Sequence, residues 1–283
     1  MKYKASDGLE LYVEKAGTGT PCIFLHGGPG YWSKSFQYYA HDLLESDLEI
    51  IYLDQRGCGR SAHGSDYSLH RLLTDLEELR ESLHIDEWYL MGHSFGGILA
   101  VNYAHRFPDR TKGLILSNTP LSMTHSFGHQ MKAGAELLGL EAESFIGQSS
   151  MDNYYEMMTR LIEQDVYFTF QYRNPANKEK IDLIDREGLA SDPQFQHHVF
   201  SSEEYFHDFT WMTQEITKPV LVLTGAYDDA VGPEHYKMFR FPNAEVQVLE
   251  GAHHPYIENR HAFQQAIAGF VKHQENNRTS IAK

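Results

Sequence analysis

The chain has 283 residues, 41% of them hydrophobic and 22% charged, enough for one large domain with a sizeable core. A net charge of −15 argues against nucleic-acid binding, which needs basic patches, and against docking on anionic membranes. Only two cysteines occur, Cys22 and Cys58, in no disulfide or metal-ligand pattern, which fits a reducing cytoplasm.

The start Met1-Lys2-Tyr3-Lys4 turns polar at once, so no signal peptide is expected, and no stretch is long enough to span a bilayer. Leu9 to Glu14 reads as an edge strand, Cys22 to Leu25 and Glu49 to Leu53 as buried ones. Leu69, Leu72, Leu73, Leu76, Leu79 and Leu83 recur at helical spacing, with Asp66 or Ser68 as the cap. Trp88 to Met91 is a further strand, followed by Gly92-His93-Ser94-Phe95-Gly96-Gly97 and a helix that ends near Phe107-Pro108. Gly113 to Leu116 is the next strand. Residues 121–217 then carry helical periodicity without clear buried strands, as in Tyr154, Tyr155, Met158, Leu161 and Ile162, then Tyr167, Phe168 and Phe170. Strands resume at Pro219 to Leu223 and Val246 to Leu249, and a last helix covers Ala262 to Lys272 before a polar tail expected to fray.

Apolar strands alternating with amphipathic helices predict an α/β fold with a mostly parallel central sheet, flanked by helices on both faces. Residues 1–120 and 218–283 form the core domain in this reading, and 121–217 an inserted helical cap. Six of the nine methionines fall in that insertion. With its aromatics they suit an adaptable apolar pocket lining, or they merely pack the cap helices together.

A Gly-x-Ser-x-Gly turn between a strand and a helix forces the serine into a strained conformation at the helix N-terminus. Ser94 is therefore the candidate nucleophile, and it needs a base and an acid further along the chain. Asp228 follows one later strand and His253 the next, in the order Ser, Asp, His, all at the carboxyl ends of strands. The neighbours Asp229 and His254 are the less favoured choices: Gly-x-x-Asp selects Asp228, and His254-Pro255 leads away. The loop Leu25-His26-Gly27-Gly28-Pro29-Gly30 lets backbone approach a substrate, so the amides of Gly28 and Phe95 are the candidate oxyanion donors.

His26-Gly27-Gly28-Pro29-Gly30, Asp54-Gln55-Arg56-Gly57-Cys58-Gly59-Arg60-Ser61 and the Ser94 elbow together resemble the α/β-hydrolase fold and, within it, the proline iminopeptidase family. The likeness runs from the first strands to the last helix and is strongest over the first 120 residues. By resemblance, Asp54, Arg56 and Ser61 support the floor of the site. At the elbow, His93 and Phe95 stand where iminopeptidases often carry Gly and Trp, whereas general esterases commonly have His before the serine.

The resemblance implies an aminopeptidase releasing N-terminal proline or another small apolar residue from short peptides, with carboxylates that hold the substrate amine. Asp229, directly after the catalytic Asp, occupies one such position, and Glu203 and Glu204 in the insertion are candidates for the other. The insertion carries 16 acidic against six basic side chains, a field that attracts cations or merely solvates a helical surface. A carboxylesterase or lactonase with the same triad is the alternative, and a non-catalytic small-molecule receptor the remote one. Epoxide hydrolases and dehalogenases are disfavoured, since they use a carboxylate at the elbow. No metal cluster or cofactor is implied.

Overall fold

The computed structural model describes residues 1–140 and 151–281. Eight strands form one sheet: β1 (Lys2–Lys4), β2 (Glu10–Gly17), β3 (Thr20–Leu25), β4 (Leu48–Asp54), β5 (Trp88–His93), β6 (Thr111–Ser117), β7 (Val220–Gly225) and β8 (Ala244–Leu249). Their spatial order is β1-β2-β4-β3-β5-β6-β7-β8. β1 pairs with β2, and β2 with β4, antiparallel. Every later pair is parallel, so the ends of β3, β5, β6, β7 and β8 point to one rim. Sheets of this kind collect ligands at that rim.

The continuous apolar strands are explained by burial on both faces. Ile23, Leu25, Ile51, Leu53, Leu90, Leu114 and Val222 meet the leucine stripe of α2 (Leu69–Ser82) and the apolar α3 (Phe95–Arg106). Their chain neighbours Cys22, Phe24, Ile50, Tyr52, Tyr89, Met91, Ile115 and Leu221 point the other way, as the period of two requires. There they pack on Phe36, Ala40 and Leu44 of α1 (Lys34–Leu44) and on Phe263, Ile267 and Phe270 of the last helix. Between the two candidate caps of α2, Ser68 is the one whose side chain accepts from Arg71 N.

Between β6 and β7 the described residues form helices and 3-10 turns: α4 (Met123–Leu137), α5 (Met151–Glu163), α6 (Pro175–Asp185) and α7 (Pro193–Ser201). The part at 141–150 lies outside the described residues. Met157, Met158, Leu161, Phe170 and Ala135 make a small core of their own within this insertion. Met157 and Met158 therefore pack helix on helix, and Met123 is the methionine on the wall of the main cavity. The insertion is tied to the core where Gly59 N donates to Ala190 O, Asp192 N to Gly57 O and Tyr67 Oη to Asp192.

After β8 come the short α8 (Pro255–Glu258) and α9 (Arg260–Ile281). α9 outruns the predicted helix, because its polar end is not free. Glu275 accepts from Tyr89 Oη at 3.0 Å and Lys112 Nζ at 2.9 Å, while Arg278 pairs with Glu87 and donates to Lys112 O. No helix among the described residues is long and apolar enough to cross a membrane.

Candidate active site

Ser94 sits between β5 and α3 with φ 51° and ψ −125°, left-handed backbone that a side chain adopts only under constraint. The constraint is packing. A Cβ on Gly92 would stand 2.5 Å from Gly97 Cα, and one on Gly96 would stand 2.1 Å from Leu25 O. Strand and helix thus cross at contact distance, and only glycine fits on either side of the serine. Phe95 N is the first amide of α3 and has no intrahelical acceptor. The Gly28 backbone and Phe95 lie on the wall of the same cavity as Ser94.

His253, past the end of β8, faces this elbow. Its Nδ1 lies 3.1 Å from both oxygens of Asp228, which follows β7. A carboxylate only accepts, so Nδ1 carries the hydrogen and Nε2 is left bare as a potential base. Asp228 is fully buried and further held by Asn118 Nδ2 at 2.7 Å and by the amides of Ala230 and Val231 at 3.1 and 3.2 Å. Burial alone would push its carboxyl up, but the His253 ring, His235 and the Asn118 bond outweigh that and hold it below the usual carboxylate range. Ser94 Oγ makes no hydrogen bond to a described residue; such contacts are often loose without substrate.

Two more imidazoles crowd the base. The His93 ring lies 4.9 Å from that of His253 and 5.1 Å from that of His254. Burial, reinforced by the adjacent His253, pushes His93 down to about 3. Burial likewise keeps His254 well below its ordinary value. His254 stacks on Tyr172 and is bonded by Tyr256 Oη and Gln171 Oε1. Of the three clustered rings, His253 is the one whose nitrogen is bonded to a carboxylate.

A cavity of about 620 Å³ opens above Ser94 and His253, between the rim and the insertion. Its walls include the aromatic side chains of Phe127, Tyr154, Tyr167, Phe168, Tyr172 and Phe200. The carboxylates on it are Asp165, Asp182 and Asp185. Asp185 accepts from Tyr31 Oη at 2.9 Å and Trp32 Nε1 at 3.0 Å; burial raises its pKa against the pull of those bonds.

The structure places Ser94, Asp228, His253, Gly28 and Phe95 at one rim of the sheet. The three acids read as amine ligands stand apart from the cavity wall. Asp229 accepts a hydrogen bond from His129 Nε2 at 2.8 Å. Glu203 is exposed beside a separate hollow next to Phe206. Glu204 accepts from Leu69 N at 3.1 Å and His198 Nε2 at 2.9 Å, which occupies it at the start of α2. Asn118 was missed, although a polar residue just past β6 belongs to the same rim by position. Asp185 and Gln171 lie in the helical insertion, where no local pattern marks them.

An eight-stranded, mostly parallel sheet with a serine elbow, an imidazole and a buried carboxylate on one rim defines a hydrolase class. The chain belongs to the alpha/beta hydrolase fold family, whose model matches residues 20–260. It is 28% identical over 271 residues to a proline iminopeptidase of Heyndrickxia coagulans, covering 91% of this chain and 92% of that one. In structure it is similar to a proline iminopeptidase-related protein of Thermus thermophilus, with a TM-score of 0.80 and 24% identity over 96% of this chain and 98% of the other. An esterase of Exiguobacterium antarcticum has the same fold, with a TM-score of 0.71 and 20% identity over 96% and 99% of the two chains.

Proposed function

We propose that this hydrolase works through an acyl-enzyme on Ser94, as an aminopeptidase releasing N-terminal proline or another small apolar residue from short peptides. The observation that carries the proposal is the His253–Asp228 hydrogen bond on the rim that bears the strained Ser94. In this scheme His253 Nε2 removes the Ser94 proton as Oγ attacks the substrate carbonyl. The amides of Gly28 and Phe95 receive the negative charge on the carbonyl oxygen; one such donor is worth about 10²–10³ in rate. His253 then returns its proton to the leaving group, and water releases the acyl group by the same steps in reverse. Asp228 keeps the imidazole in the Nδ1–H tautomer and stabilises its protonated form.

For the substrate amine we assign Asp185, rather than Asp229, Glu203 or Glu204, since it is a half-buried carboxylate on the cavity wall. Its two neutral donors leave lone pairs for an ammonium, and a cation would relieve the cost of its burial. The aromatic walls suit a pyrrolidine or small aliphatic side chain. The free, buried Cys22 and Cys58 are consistent with a cytoplasmic location.

Hydrolysis of neutral esters is the second reading. It is favoured by the distance of Asp229, Glu203 and Glu204 from the cavity wall and by His93 before the serine. Kinetics with proline, alanine and leucine arylamides beside short acyl esters separate the two. Arylamide cleavage abolished by Ser94→Ala supports the peptidase; ester turnover without arylamide cleavage overturns it.

A further inference from the structure

His253 is gripped by both of its own main-chain groups, each from a different element. Its N–H donates to Gln171 O at 3.1 Å, and its carbonyl oxygen lies 2.9 Å from His93 Nε2. A carbonyl only accepts, so Nε2 of His93 carries the hydrogen and Nδ1 is bare. Nδ1 turns toward the loop after β3: a Cβ on Gly27 would stand 3.2 Å from it. His93 is 4% exposed, and Tyr256 stands edge-on to its ring at 5.4 Å. The ring has one tautomer and little room to turn.

His93 is also the residue directly before Ser94, at the end of β5. The candidate nucleophile and the group that holds the main chain of the base are thus consecutive residues, the last of the strand and the turn residue after it. We propose that His93 is a positioning residue: its Nε2–H···O=C bond to His253 fastens the base to the nucleophile elbow and sets the approach of the imidazole to Ser94 Oγ. This rests on Ser94 and His253 acting as nucleophile and base. Displacing a reacting group by about 1 Å can cost on the order of 10²-fold in rate, so one misplaced main-chain atom pair matters.

The test compares His93→Leu, which removes the donor at similar volume, His93→Gln, whose amide N–H matches the reach of Nε2, and His93→Asn, whose amide falls short. Steady-state kcat and KM on the best substrate are read beside the rate at which a fluorophosphonate labels Ser94, and Tm. Expected for Leu and Asn is a fall in kcat of roughly 10- to 100-fold with KM within about twofold and a parallel slowing of labelling, while Gln returns to within about fivefold of the parent. If Leu does not fold, the Gln and Asn pair decides the matter. Full kcat in Asn, or equal loss in Gln and Asn, overturns the proposal and leaves His93 a packing residue. An active Ser94→Ala would instead overturn the reading beneath it, so the two failures are distinct.

Discussion

Gln171 of the helical insertion accepts the main-chain N–H of His253 at 3.1 Å, so the candidate base is held in part by a segment outside the sheet. The same junction is closed by Glu258, whose Oε2 accepts from Ala252 N at 2.6 Å and whose Oε1 accepts from Arg173 N at 2.7 Å and Asn174 N at 3.2 Å. The loop that carries His253 and the segment that roofs the cavity are one hydrogen-bonded unit.

Removing that clamp should loosen the loop from the roof. Glu258→Ala is expected to lose roughly 1–3 kcal/mol of stability, because three amides lose a shared charged acceptor, and to lower kcat more than it raises KM. Urea unfolding and steady-state kinetics on the same preparation check both parts. A variant with unchanged kcat would show that the clamp serves the fold alone.

Asp228→Asn keeps the shape of the site but not its tautomer logic. The new amide presents an N–H toward His253 Nδ1 or toward the Asn118 donor, and one of those contacts must break. A loss of about 10³–10⁴ in kcat is expected, with KM little changed. Retention of a tenth or more of the parent rate would remove Asp228 from the orienting role.

The amine assignment makes a prediction about selectivity. Asp185→Asn should raise KM for aminoacyl arylamides at least about tenfold while leaving short esters within about twofold, and Asp229→Asn should leave both substrates within about twofold. Equal effects on amides and esters would show that Asp185 matters through its bonds to Tyr31 and Trp32.

Buried histidines set the acid limit of stability. Burial lowers the pKa of His26, His93, His235 and His254, and takes His93 to about 3. In the unfolded chain these rings titrate near 6.5, so below that pH the unfolded state takes up protons that the folded state refuses. Stability is then full above about pH 6.5 and falls as pH drops below it, for His93 by up to about 1.4 kcal/mol per pH unit down to about 3. Asp228, held below its unfolded value of 3.8, adds a loss in the same direction in stronger acid. Urea midpoints between pH 7 and 5 read the slope, and His93→Gln should flatten it; a midpoint independent of pH over that range would contradict the account.

Gly96→Ala tests the elbow from the packing side. Its Cβ would fall 2.1 Å from Leu25 O, a backbone atom of β3 that the sheet holds in place. A loss of roughly 3 kcal/mol or more, seen as a drop in Tm or in soluble yield, is expected. Gly128→Ala, where a Cβ meets nothing within 4 Å, is the matched control and should be neutral or slightly stabilising within α4.

What was legible in the chain follows from range. The buried strands are written as apolar runs of a few residues, and the elbow as glycines about a serine, because both are dictated by neighbours in sequence. Asp228 and His253 were readable as candidates because the rim of a parallel sheet is a place that topology predicts. The three-residue β1 and the sparse stripe of α1, with Phe36, Ala40 and Leu44 buried four apart, are too weak for periodicity to reveal. The fraying assigned to the tail failed because Glu275 and Arg278 find partners far away in sequence, on Tyr89, Lys112 and Glu87. Gln171 and Asp185 were invisible for the same reason: their roles exist only once the insertion lies over the rim.

The attachment of His253 to Gln171 also orders events in time. β6 and β7 pair directly, Leu114 beside Val220 and Ser117 beside Leu223, so the ladder can close while the residues between them are still unstructured. The base cannot take its final position until that long excursion has also returned and settled over the rim, a step beyond closing the ladder. A refolding chain should therefore recover its circular dichroism first and its reactivity toward a serine reagent last.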